Sequence, residues 1–136
     1  ENFEIGRAIP IHEGERVAVF STGAIFEEIA EAEIILASHG IRPAVWTFPT
    51  VKPIDRETIS RCAGEFDMLV TVEEHNLSGG FGSAVAEVLA EQSPHARLLR
   101  IGLHDTYCNI VGDQKYLRAR FGLDAAGIAR QILEAL

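Results

Sequence analysis

The residues best placed to do chemistry form a glycine-rich phrase, Gly79-Gly80-Phe81-Gly82-Ser83. It follows an apolar, β-branched run, Asp67-Met68-Leu69-Val70-Thr71-Val72, and precedes a stretch with Val85, Val88 and Leu89 at helical spacing. A strand, a glycine turn and a helix in that order aim backbone N–H groups at an anion and add the positive end of the helix dipole. Glu73, Glu74 and His75 stand between strand and glycines, and a histidine protonates near pH ~6.5. His75, Gly79, Gly80, Gly82 and Ser83 are therefore the candidate site for an anion or regulatory ligand. The competing reading is that the glycines only let the helix start lie close against the sheet. Thr22, in Ser21-Thr22-Gly23, is a secondary candidate at another expected helix start. Glu27 and Glu28 lie about one turn inside it, complement its dipole and repel a phosphate, so ordinary capping is expected there.

Other chemistries fit less well. In a dinucleotide-binding fingerprint a glycine or alanine would stand where this chain has Val85, and no Asp or Glu closes the next strand, which ends at Gly102. No Lys-Ser/Thr pair follows the glycines, so the phrase is not a P-loop. Glu73-Glu74-His75 are adjacent and diverge from one another, without paired metal-ligand spacing, and no metal site is expected. Cys108 lies four residues after His104 in a segment with no strong helical pattern, which gives little support to a nucleophilic cysteine. No catalytic residue is assigned.

The elements that must position these residues alternate between short apolar runs and amphipathic stretches, the pattern of βαβ units on a mainly parallel sheet. Strands are predicted at Val17–Ser21, Pro43–Phe48, Asp67–Val72 and Arg97–Gly102, with an edge strand in Glu4–Ile11 that Pro10 marks. A helix opened by Thr22-Gly23 carries Ile25, Ile29, Ala32 and Leu36 on one face and closes at His39-Gly40. A short helix, Arg56–Ala63, is capped by Asp55 and ended by Gly64; another covers Gln114–Arg120, and a last one runs from Asp124 to Leu136. In an open α/β sheet ligands bind beyond the carboxyl ends of the strands, which gathers the residues after Ser21, Thr47, Val72 and Gly102.

The chain has 136 residues, enough for one domain with a sizeable core. Twenty acidic against twelve basic residues give a net charge of −8, which disfavours nucleic acid and anionic membrane surfaces as partners. No apolar run is long enough to span a bilayer. Two cysteines, Cys62 and Cys108, make no disulfide framework, and the chain reads as cytoplasmic. Its first residue is Glu and its one methionine is Met68, so a domain of a longer polypeptide is expected.

Several phrases in order carry a family resemblance: Phe3-Glu4-Ile5-Gly6-Arg7-Ala8, Ser21-Thr22-Gly23, Val51-Lys52-Pro53-Ile54-Asp55, Val72-Glu73-Glu74-His75, Gly79-Gly80-Phe81-Gly82-Ser83-Ala84-Val85-Ala86-Glu87 and Phe121-Gly122-Leu123-Asp124. Together they resemble the C-terminal domain of transketolase across essentially the whole chain; Arg7 stands where the family often has lysine. The resemblance implies a three-layer α/β/α fold with a five-stranded mixed sheet whose first, edge strand is antiparallel. It implies a part in an enzyme that moves two-carbon ketol units between sugar phosphates, with thiamine diphosphate and Mg²⁺ held by other domains. The family's Gly-Asp-Gly signature with its downstream asparagine is missing, Gly112-Asp113-Gln114 being the nearest approach. This chain alone is therefore expected to bind no cofactor and to be inactive, serving in assembly and possible regulation. Expected partners are the other domains or subunit of the same enzyme, within a homodimer. Phe81 and Tyr107 are the expected interface aromatics, with inward packing of Phe81 as the alternative. The last domain of a 1-deoxyxylulose-5-phosphate synthase or of a 2-oxoacid dehydrogenase beta subunit is a rival within the same class. A free-standing ligand-binding or interaction module is the rival from another.

Overall fold

The structure, a computed structural model, describes residues 6–22, 25–76, 80–92, 95–103 and 122–136. Five strands, β1 (Ile9–His12), β2 (Val17–Ser21), β3 (Ala44–Thr47), β4 (Met68–Asn76) and β5 (Arg97–Leu103), form one sheet in the order β1-β3-β2-β4-β5. β1 runs antiparallel to β3, and the other neighbours pair in parallel. Among the described residues four helices cover it: α1 (Phe26–Ala37), α2 (Arg56–Glu65), α3 (Phe81–Ala90) and α4 (Ala125–Ala135). The expected α/β architecture with an antiparallel edge is therefore present.

Alternation along the strands divides the core in two. Val17 and Val19 of β2 and Met68, Val70 and Val72 of β4 face α1 and α4, where Ile29, Leu36, Ile128 and Ile132 close on them. Ala18 and Phe20 of β2 and Leu69 of β4 face α2 and α3, meeting Ile59, Cys62, Val85 and Leu89. A parallel sheet covered on both faces needs continuous apolar strands, and all five residues of β2 are buried. On the α2–α3 face four aromatic rings interlock: Phe20 with Phe48 at 4.9 Å, Phe48 with Phe81 at 5.2 Å, and Phe20 edge-on to Trp46 at 5.9 Å.

Several boundaries move. The edge strand is Ile9–His12 and not Glu4–Ile11; Pro10 lies inside it, tolerated because an edge residue need not donate to a ladder. The Thr22-Gly23 phrase does not supply the cap of α1, whose N-cap is Ile25 with no side-chain hydrogen bond. Gly64 does not end α2, which continues to Glu65 before Phe66 turns extended. β4 runs on through Glu73, Glu74 and His75 to Asn76, so these residues belong to the strand and not to the loop after it. The helix expected over Gln114–Arg120 lies outside the described residues. Among those residues, no helix is long and apolar enough to cross a membrane.

Asp55 caps α2 as expected, accepting from Thr58 N–H at 3.0 Å and the Thr58 hydroxyl at 2.7 Å. Its second oxygen also accepts from Ala8 N–H at 2.8 Å, which fastens the lead into β1 to α2. Burial by itself would push the Asp55 carboxyl up, but the hydrogen bonds from Ala8 and Thr58 and the charge of Arg7 outweigh it and hold the group below its ordinary value. A depressed carboxyl stabilises the fold fully above the unfolded-state pKa and loses that contribution as pH falls through the folded value. Asp55→Asn should therefore cost about 1–2 kcal/mol at neutral pH. It should also flatten the acid limb of stability against pH, and urea melts of parent and variant from neutral to acid pH would check both.

Candidate functional site

The amino end of α3 gathers the most polar groups on the α2–α3 face. β4 and β5 keep parallel register from Met68↔Arg97 to Val72↔Ile101 and regain it only at Asn76↔Leu103, so four steps on β4 oppose two on β5. Glu73 lies at the start of this irregularity. Such bulges redirect side chains at strand ends. The Glu73 side chain is 0% exposed, and its carboxylate accepts from Phe81 N–H at 2.8 Å and from Gly82 N–H at 2.7 Å. Gly80, the N-cap residue, has no side chain to do this, and Glu73 supplies the cap from the adjacent strand. Arg100, opposite Thr71 in the ladder, reaches the same corner, and its Nη2 donates to Ser83 Oγ at 2.7 Å.

Gly82 is required by this arrangement. A Cβ on it would stand 2.8 Å from Glu73 Oε2, 2.9 Å from Arg100 Nε and 2.9 Å from Thr71 Oγ1. The turn thus serves packing as well as hydrogen bonding, because the backbone must approach three buried polar atoms closely.

The geometry gives the glycine-rich start of α3 an internal partner. Gly82 N–H, which was to face a phosphate, points at an internal carboxylate; Gly80 carries the turn, and Ser83 is engaged by Arg100. His75 has its backbone on β4 and its side chain outside the described structure, and Gly79 and Tyr107 are outside the described residues. Thr22 directly follows β2 and is half-buried. Phe81 is 3% exposed and rests on the Phe48 ring. It is therefore a core residue and not an exposed interface aromatic: α3 begins at Phe81, and the first turn of a helix lying on a sheet faces inward.

Beside this corner an open groove of about 430 Å³ is lined by Val51, Lys52, Pro53, Arg56, Gly80 and Ser83, among others. Arg56 pairs with Glu91, so one of the groove's two cations is already answered. Cys62 is buried under α2. Burial first, helped by the negative charges of Glu65 and Asp55 and opposed by Arg61, pushes its thiol up to about 12, leaving it protonated and unsuited to attack.

A Mg²⁺–diphosphate centre needs carboxylates free to turn toward a cation. The three buried ones among the described residues are committed to amides: Asp55 to α2, Glu73 to α3, and Glu28 to α4 through Ala125 N–H at 3.0 Å. Among the described residues no group of three or more His, Cys, Asp or Glu side chains can hold a metal ion. The described residues do not fit that centre.

The sequence profile described as transketolase, C-terminal domain, matches residues 6–128. The chain belongs to this family. It is 38% identical over 134 residues to a putative transketolase C-terminal section of Methanocaldococcus jannaschii, covering 98% of this chain and 41% of that protein. It is 37% identical over 133 residues to a 1-deoxy-D-xylulose-5-phosphate synthase of Caldanaerobacter subterraneus, covering 98% of this chain and 21% of that protein. Among solved structures it superposes on a split gene transketolase, described as an inactive beta4 tetramer, with a TM-score of 0.90 and 34% identity. All of this chain and 44% of that one are covered. The transketolase-type domain described here thus spans between about a fifth and under half of these relatives.

Two glycine substitutions separate the site from ordinary helix positions. Gly82→Ala should cost about 1–3 kcal/mol, because a methyl group must displace pinned polar atoms. Gly64→Ala, inside α2 with nothing within 4 Å of the added carbon, should gain about 0.5–1 kcal/mol. Chemical denaturation midpoints of the two variants would check the contrast. Mass-spectrometric labelling with a thiol reagent should leave the Cys62 peptide unmodified until the chain unfolds.

Proposed function

We propose that this chain is the C-terminal section of a thiamine diphosphate-dependent transketolase that moves two-carbon ketol units between sugar phosphates. The carrying observation is the full-length match to the split gene transketolase together with the match to a C-terminal section in Methanocaldococcus jannaschii. In this reading the cofactor and Mg²⁺ bind elsewhere in the complete enzyme. The present section serves assembly, within a homodimer of the complete cytoplasmic enzyme, and does no chemistry alone. The commitment of its buried carboxylates to helix ends supports that division. The cofactor, when bound in the complete enzyme, supplies the carbanion chemistry.

The identity to 1-deoxy-D-xylulose-5-phosphate synthases favours a second reading within the same class, the last domain of such a synthase. One assay divides them. The chain is supplied in complex with, or continuous with, the polypeptide bearing the cofactor domains. Transfer of a ketol unit from a ketose phosphate to an aldose phosphate supports the first reading, and formation of 1-deoxyxylulose 5-phosphate supports the second. A fully loaded complex with neither activity overturns both. For the chain alone, titration calorimetry with thiamine diphosphate and Mg²⁺ should be flat, and saturable binding at one site would contradict the proposed division of labour.

A further inference from the structure

The amino end of α3 has more donors than its own helix uses. Phe81 and Gly82 present adjacent N–H groups to the Glu73 carboxylate at 2.8 and 2.7 Å. α3 is ten residues long, so its dipole adds to them. An independent feature points into the same spot: Thr71, 0% exposed, has a hydroxyl with no hydrogen-bond partner. That hydroxyl oxygen lies 2.9 Å from the position of a Cβ on Gly82, the point that is 2.8 Å from Glu73 Oε2 and 2.9 Å from Arg100 Nε. Two amides hold the Glu73 carboxylate, and the buried Thr71 hydroxyl, which makes no hydrogen bond to it, stands at the same small corner.

We propose that this corner is an anion-binding site whose resident ligand is the chain's own Glu73 carboxylate, and that removing this side chain opens a pocket for a small carboxylate such as formate. The site goes beyond the proposed enzymatic role and stands whether or not that role is right. The volume vacated by a glutamate side chain past its Cβ accommodates a carboxylate of one or two carbons, and two adjacent N–H donors are left behind to receive it. The Phe81 and Gly82 N–H groups, left without their acceptor in the empty pocket, are the driving force for its capture.

Glu73→Ala tests this, with sodium formate as probe and sodium chloride at equal ionic strength as control. The variant should melt roughly 10 °C or more below the parent in chloride. Formate should recover a substantial, saturable part of that loss while leaving the parent midpoint unchanged. In amide spectra, formate should move Phe81 and Gly82 in Glu73→Ala and in neither the parent nor Glu73→Gln, whose amide still fills the space. Adding Thr71→Val to Glu73→Ala should weaken formate binding roughly three- to tenfold, the worth of one hydrogen bond. If Glu73→Ala does not fold in chloride, folding restored by formate alone supports the site, and a chain unfolded in both salts overturns it. Equal effects of formate and chloride, or formate shifts at Phe81 and Gly82 in the parent, also overturn it.

Discussion

An ionised carboxylate can leave water only where donors are already aimed at it, and much of the organisation of this domain follows from that constraint. Among the described residues its buried acids are Glu28, Asp55 and Glu73, and each sits at the amino end of a helix. There the first-turn N–H groups lack intrahelical acceptors and the dipole is positive, so an acid and a helix end satisfy each other at little desolvation cost. Each pairing also ties elements together. Glu28 on α1 holds Ala125 at the start of α4, 97 residues away, and Asp55 joins Ala8 to α2 across 47 residues. Glu73 clamps α3 to the strand it follows.

This economy bears on function. Helix amino ends at the carboxyl edge of a parallel sheet are the usual places for phosphates in α/β proteins. Here α2, α3 and α4 have those ends closed by internal acids. What remains is a framework with two well-packed faces and a groove at the Lys52–Arg56 turn. A domain built this way is in keeping with the proposed role as a supporting section, and it covers 41% and 44% of two of the longer relatives it matches.

Much of the fold was legible because its signals are local. Continuous β-branched runs marked β2 and β4, Pro10 marked an edge, and Asp55 three residues ahead of Thr58 marked a cap. The Glu28 contact was illegible because its partner lies 97 residues on, and nothing around either residue encodes the meeting. Glu73 falls outside the expected strand because the apolar run stops at Val72. In the structure the strand continues, through an irregular stretch against β5 that only the pairing of two strands reveals. Phe81 looked exposed beside glycines, yet its ring is drawn under α3 by Phe48, which arrives from the end of β3.

The sequence by itself determined the class of fold, the family phrases and the presence of a glycine turn that needs close backbone approach. These rest on periodicity, composition and short-range stereochemistry, all of which act between residues a few positions apart. Tertiary structure alone decided which anion the turn receives. Glu73, Gly82, Thr71 and Arg100 come together from two neighbouring strands and a helix. Whether a helix end faces a ligand or the protein's own carboxylate depends on strand register and burial, which are settled only when the elements pack.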